Sequence, residues 1–229
     1  VAGAVQLGVI AYGDKAMSSA YGFHIDVKGK GVHGSSPELG VDPINAAVHI
    51  YLALQEMIAR EVSGMDEVAM TIGQIHAGGA ANVIPDTAMM EGTLRTFKKE
   101  TADFLIGRIT EAAEKIAEAY RAKAEVTALY NVPPVDGDPE FNEACIASIK
   151  KVNSDVYPAK VLHAMGSEDF AFVTQRIPSG YMFFGAGVED KSKWRPQHAP
   201  DIVFDERAMP LIAASYVQIA MDWLEKNGK

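Results

Sequence analysis

Residues 20–28 alternate strictly, with Tyr21, Phe23, Ile25 and Val27 on one side and Gly22, His24, Asp26 and Lys28 on the other. A period of two over this length predicts a strand with one buried and one wet face. The period then changes. Ile44, Ala47, Val48, Tyr51, Leu54, Met57 and Ile58 recur at helical spacing and predict an amphipathic helix over 43–61. Asp42 is placed to cap this helix, and Pro43 suits the first helical position, where no amide hydrogen is needed. Strands are expected over 67–76 and 86–97, joined by the glycine-rich Ala77-Gly-Gly-Ala80. A second helix over 101–122 gathers Leu105, Ile109, Ala112, Ile116 and Tyr120 on one face, and a strand over 123–131 ends at Pro133-Pro134.

Residues 20–133 therefore read β-α-β-β-α-β, the ferredoxin-like split arrangement with two helices on one face of a four-stranded antiparallel sheet. Residues 1–12 read as one or two short buried strands. Past Pro133-Pro134 the pattern predicts a helix near 139–151, a strand around 159–162 and a helical turn at 169–175. A strand at 181–184 and a closing helix over 206–226, capped by Asp205, complete it. These flanks hold few strands of their own. The expected class is mixed, α+β with α/β: a ferredoxin-like domain at 20–133 inserted in a partial α/β layer formed by 1–19 and 134–229.

Composition narrows the setting. Among 229 residues no apolar run approaches the ~20 needed to span a membrane, so no membrane partner is expected. A start at Val1 rather than Met is read as a trimmed piece of a longer protein. A net charge of −9 argues against nucleic acid as a partner, since phosphates call for basic stripes. Cys145 is the one cysteine, which excludes an internal disulfide; in its helical segment it reads as a small core residue, in keeping with a reducing, cytoplasmic location.

The candidate chemistry lies in loops. His33 sits in Gly31-Val-His-Gly-Ser-Ser-Pro37, where glycines on both sides let the chain turn sharply and leave the ring free. Later come Gly79-Ala-Ala-Asn-Val-Ile-Pro-Asp86, Glu91-Gly-Thr-Leu-Arg-Thr-Phe97, Met165-Gly-Ser-Glu-Asp-Phe-Ala171 and Gln197-His-Ala-Pro200 with Phe204-Asp-Glu206. A further pattern, His24-Ile-Asp26, has the form of a His-x-Asp metal motif, and period-two geometry puts both side chains on one face. Its position inside a strand favours an ordinary solvated face.

These segments, in this order, resemble the C-terminal part of the M20 family of metallopeptidases and amidohydrolases, in particular its hippurate, auxin-conjugate and aminobenzoyl-glutamate hydrolases. The resemblance covers essentially the whole chain. It implies a lid and dimerisation domain at 20–133 within a catalytic domain, represented here by 1–19 and 134–229. It implies hydrolysis of the amide bond of N-acyl or aryl-amide amino acids, with two divalent metals (zinc, manganese or cobalt) in the full-length parent.

Family roles carry over residue by residue. His33 matches a histidine that reaches across a dimer to donate a hydrogen bond to the oxyanion; its plain alternative is a loop histidine holding a backbone group. Asn82 matches a residue that helps bind substrate or oxyanion, and an asparagine there also serves to hold a turn. Arg95 matches an arginine suited to bidentate capture of a substrate carboxylate, against a surface arginine. Gly166 and Ser167 would offer backbone donors near the substrate, with Glu168 and Asp169 placed to cap the next helical turn.

His198 is the only position that matches a family metal ligand. The general-base glutamate has no counterpart. One imidazole does not hold a divalent ion against water, so no stable metal is expected on this chain alone, and the chain by itself is expected to be inactive. Two departures stand out. Glu38 replaces a second histidine common in that loop, and Gln197-His198-Ala-Pro replaces the usual His-His-Pro. The expected partners are a small N-acyl amino acid and a second copy bound through 20–133. The alternative is a dimerising or ligand-binding module that kept the lid without the chemistry.

Overall fold

In the computed structural model, which describes residues 1–228, the alternating and helical segments form the following elements in chain order. They are β1 Ala2–Gln6, β2 Val9–Tyr12, β3 Lys15–Met17, β4 Ala20–Lys28, β5 Val32–His33, α1 Pro43–Glu61, β6 Val68–Ala77, β7 Val83–Ile84 and β8 Thr87–Thr96. There follow α2 Lys99–Ala119, β9 Lys123–Val132, β10 Val135–Asp136, α3 Pro139–Val152, β11 Tyr157–Lys160, α4 Ala171–Thr174, β12 Met182–Gly187 and α5 Ala208–Asn227. The chain divides into two compact units. One comprises Ser18–Pro134 with Met165–Glu168; the other comprises Val1–Met17, Val135–Ala164 and Asp169–Lys229.

The first unit is built on a four-stranded sheet of order β6-β8-β4-β9 with every neighbouring pair antiparallel. With α1 following β4 and α2 following β8, this is the expected ferredoxin-like β-α-β-β-α-β arrangement. The alternation in β4 explains its position. Phe23, Ile25 and Val27 are fully buried and pack with Met90 and Leu94 of β8 against Ile50 and Leu54 of α1 and Leu105 and Ile109 of α2. Each such side chain contributes roughly 1.5–3 kcal/mol when taken out of water. Ala46, Ala47, Ala113 and Ala117 face the same core and let the helices approach closely. Asp42 caps α1 as expected, its carboxylate accepting from the amides of Ile44 and Asn45 at 2.9 and 3.2 Å.

The second unit holds a mixed sheet of order β1-β12-β2-β11. β1 runs parallel to β12, β12 antiparallel to β2, and β2 parallel to β11. Ile10, Tyr12 and Phe184 from the sheet meet Ile146 and Ile149 of α3, with Leu211, Ile212 and Ile219 of α5 packed against them. Much of α5 stays uncovered: Tyr216 is 70% and Leu224 58% exposed. No helix among the described residues is long and apolar enough to cross a membrane.

Several boundaries shift by a few residues from the sequence reading, and two of the shifts have a clear cause. β11 lies two residues earlier than expected, at Tyr157–Lys160, because the register with β2 pairs Tyr157 with Val9 and Lys160 with Tyr12. Asp205 does not cap α5. The amide of Asp205 donates to the carbonyl of Ala186 at the end of β12, and its carboxylate accepts from the amide of Arg207 at 3.0 Å. Asp205 instead closes the turn at 206–207 that leads into α5, its carbonyl accepting from the amide of Ala208 at 3.1 Å, and the helix starts at Ala208.

Candidate active-site residues

In the first unit the loop after β4 is tied down at several points. The amides of Gly29 and Gly31 donate to the backbone carbonyl and the carboxylate of Asp86, both at 2.8 Å, and Lys30 and Val41 exchange backbone hydrogen bonds at 2.9 and 3.0 Å. This brings β5 against β7, with His33 opposite Val83. The amide of Gly34 donates to the carbonyl of Asn82 at 2.7 Å. His33 and Asn82, separated by almost fifty residues in sequence, thus lie side by side on one ribbon.

Gly34 is favoured here, but not for the reason its sequence context suggests. Its φ is not positive; instead a Cβ at that position would stand 3.1 Å from the Asn82 carbonyl oxygen. The close approach of the two segments is what crowds a larger residue here.

The His33 ring is exposed, and its Nδ1 lies 2.8 Å from the Ser35 hydroxyl and 3.2 Å from the Ser35 amide nitrogen. The other nitrogen, Nε2, has no hydrogen-bond partner among the described residues. Asn82 is likewise exposed.

Arg95 projects from the face of the sheet opposite the helices, since Leu94 and Thr96 on either side of it are buried. Its sheet neighbour on β6 is the small Ala69. The guanidinium is partly covered, and Nη1 is buried with no hydrogen-bond partner. An unpaired buried donor costs about 1–3 kcal/mol, and more when charged, so this nitrogen is disposed to receive an anionic oxygen.

Farther along the same face lies a polar network. His24 Nδ1 is 3.0 Å from Glu91 Oε1, and its Nε2 is 3.3 Å from Asp26 Oδ2. Gln74 donates to the other oxygen of Glu91 at 3.2 Å. These partners raise the His24 pKa, the Glu91 hydrogen bond most of all. The His-x-Asp pattern is therefore an imidazole held between two carboxylates, each on a different ring nitrogen, rather than a converging ligand set.

Gly166 and Ser167 belong to the first unit. The buried Ser18 hydroxyl contacts the carbonyls of Met165 and Gly166 at 3.0 and 3.2 Å, which fixes this turn from beneath. Ser18 carried no signal in the sequence. Of the remaining histidines, His49 stacks on Tyr120 with ring centroids 4.6 Å apart, His76 meets Gln74 at 3.3 Å, and His163 Nδ1 lies 2.8 Å from the Lys15 carbonyl.

In the second unit, His198 is exposed on a turn closed by the Ala199 amide donating to the Pro196 carbonyl at 3.2 Å. Its backbone has φ +68°, in the left-handed region that glycine ordinarily occupies. Neighbouring contacts brace this turn. The Arg195 guanidinium donates to Asp201 at 2.6 Å and to the carbonyls of Ser192 and Trp194 at 2.9 and 3.0 Å, and it holds the Asp201 carboxyl below its ordinary pKa. Gln197 donates to the Val1 carbonyl at 3.0 Å. Among the described residues no group of three or more His, Cys, Asp or Glu side chains could hold a metal ion. The donors present do not fit a metal centre. Cys145 is buried, and burial pushes its thiol pKa up to about 11, as a core residue requires.

Comparison with known proteins places these residues in context. Residues 16–121 match the peptidase dimerisation domain. The chain is 34% identical over 210 residues to an N-acetylcysteine deacetylase of Bacillus subtilis, covering 91% of this chain and 53% of that protein. It superposes on a candidate aminohydrolase from methicillin-resistant Staphylococcus aureus with a TM-score of 0.90 at 29% identity, covering 98% of this chain and 58% of the other. A second solved structure, a dinuclear metal-binding M20 peptidase of Bacillus subtilis, gives a TM-score of 0.74 at 30% identity over 96% of this chain and 55% of that one. The chain spans about half the length of the curated relatives it matches.

Proposed function

Because the chain belongs to the M20 family and carries its peptidase dimerisation domain, we propose that it is the lid-bearing part of a metal-dependent amidohydrolase acting on N-acyl amino acids. The observation that carries this reading is the buried, unpartnered Nη1 of Arg95 on the open face of the sheet. A guanidinium with an unpaired nitrogen suits the carboxylate of an amino acid product. Relatives that remove an acetyl group from cysteine act on a substrate of this class.

His33 and Asn82, presented on one ribbon, supply polar hydrogens for the other end of the substrate. When water adds to the amide carbonyl, charge collects on its oxygen, and a fixed donor there lowers the barrier by about 3 kcal/mol. Gly166 and Ser167 would add backbone donors beside the bound substrate. His198 would serve as one ligand of a divalent metal site completed elsewhere in the parent enzyme, where the metal would supply an activated water. The described residues offer no complete ligand set, so hydrolysis is assigned to the full-length parent and not to these residues by themselves.

The His33 donor would serve the second subunit of a C2 homodimer. Two features of the first unit support this. Its sheet ends in β6, whose outer side is unpaired, and α1 exposes Ile44, Val48 and Leu52 in a stripe at helical spacing. Unpaired strand edges and apolar stripes of this kind are normally covered. The empty ligand set favours a second reading, a dimerising module without chemistry.

One experiment separates the two. Full-length parent protein, supplied with zinc, manganese or cobalt, is assayed on N-acyl amino acids and on the matching N-acyl amines that lack the carboxylate. The hydrolase reading expects cleavage of the first set, little of the second, and loss of that preference in Arg95→Gln. Equal treatment of both substrates, or no cleavage at all, would sink it.

A further inference from the structure

We infer that Ser35 is a positioning residue that fixes the proton of His33 on Nε2, so that the outward nitrogen of the ring is always a hydrogen-bond donor. A neutral imidazole has one N–H and one bare nitrogen, and the hydrogen bond at one nitrogen decides the state of the other. At Nδ1 of His33 that bond is unambiguous. The Ser35 amide, 3.2 Å away, can only donate. An Nδ1–H would point its hydrogen at the amide hydrogen, so Nδ1 must be the acceptor. The Ser35 hydroxyl, closer at 2.8 Å, can turn its own hydrogen toward the same nitrogen and strengthens the choice.

The turn does not need a serine side chain for its own sake. Backbone bonds already close it on both sides, from the Gly34 amide to the Asn82 carbonyl at 2.7 Å and from the Ser36 amide to the His33 carbonyl at 3.0 Å. Among the described residues the Ser35 hydroxyl has no partner but the His33 ring. Its position is thus explained by the ring and not by the loop.

The consequence for chemistry rests on the proposed role of His33. A bare Nε2 would present a lone pair to the oxyanion and repel it; an Nε2–H stabilises it. Ser35 thereby plays the orienting part that a carboxylate or carbonyl plays behind many functional histidines, with the opposite polarity.

The test reads the tautomer directly on this chain, with no metal and no substrate. Ring nitrogens of 15N-histidine-labelled protein are recorded by NMR at a pH where His33 is neutral. Wild type is expected to show a pyridine-type Nδ1 and a pyrrole-type Nε2. Ser35→Ala, which keeps the donating amide and loses only the closer hydroxyl, is expected to shift both resonances part of the way toward the averaged positions of an unconstrained imidazole, and Ser35→Thr to restore them. In the full-length parent, Ser35→Ala should lower kcat by up to about tenfold with KM little changed, since a donor is misoriented rather than deleted.

A pyrrole-type Nδ1 in the wild type, or a Ser35→Ala spectrum identical to it, overturns the assignment. If the resonances behave as expected while His33→Ala leaves amide hydrolysis intact, the catalytic reading of His33 falls and the role of Ser35 stands.

Discussion

Replacing His198 by glycine should stabilise the protein, although it removes the side chain proposed above as a metal ligand of the parent enzyme. The reason is the backbone. At φ +68° an L-residue brings its Cβ against the following carbonyl, at a cost of roughly 1–2 kcal/mol that glycine does not bear. Glycine also gives the unfolded chain more freedom, which takes back about 0.4–1 kcal/mol. The balance favours His198→Gly by about 0.5–1 kcal/mol, a rise in Tm of roughly 1–4 °C for a protein of this size. His198 is exposed, and no hydrogen bond of its side chain offsets the gain among the described residues. The control is His198→Ala, which keeps the Cβ and therefore the strain. Thermal unfolding of the three metal-free proteins, followed by circular dichroism at one pH, measures the difference. If the glycine variant is no more stable than the alanine variant, the turn is not strained at this residue and its left-handed conformation cannot be read as a mark of function.

Three further expectations concern the first unit. Arg95→Met should leave the ligand-free chain as stable as wild type or about 1 kcal/mol more so, because it removes an unpaired buried donor; added N-acetyl amino acid should raise the Tm of wild type only. His24 has a raised pKa in the folded state, so its stabilisation is fully present below the unfolded value of about 6.5 and is lost as pH rises through the folded value. Urea midpoints measured from about pH 5.5 to about pH 8.5 should show this loss in wild type and not in His24→Gln. Leu52→Asp, which puts a charge in the exposed stripe of α1, should convert a dimer to a monomer in sedimentation at micromolar concentration; a monomeric wild type would refute the proposed dimer surface.

How much of this was legible in the sequence depended on how local the determining physics was. Asp42 and Pro43 fix the start of α1 by themselves, and the structure begins that helix where they say. The alternation of β4 identified both its faces. By contrast, β5 and β7 are two residues long, and nothing within either segment marks it as a strand; only their pairing makes them one. That pairing is also what joins His33 to Asn82. The His24 clamp has the same character, because Glu91 is opposite His24 through the register of β4 with β8, which no short motif encodes. Asp205 misled for the converse reason. Its local context is that of a helix cap, and a tertiary bond to Ala186 claims its backbone instead.

The two units differ in how firmly they hold their candidate residues, and the difference follows from their cores. In the first unit, strands on one sheet and two helices enclose a continuous set of fully buried side chains, so the loops at His33 and Asn82 and the strand at Arg95 rest on a rigid base. Hydrogen bonds to Asp86 and Asn82, and from the Ser35 amide, then set the His33 loop and ring without calling on any side chain outside that unit. In the second unit the buried cluster is small, α5 leaves large apolar side chains such as Tyr216, Trp223 and Leu224 in water, and His198 stands on a turn braced mainly by surface polar contacts. Strain at such a turn survives only where surrounding structure over-determines it. The first unit can therefore hold its candidate groups in place as it stands, whereas the second leaves the apolar side of α5 exposed. On this reasoning, destabilising substitutions in the first unit's core should abolish the ribbon that pairs His33 with Asn82, while equal losses in the second should be felt first as a loosened His198 turn.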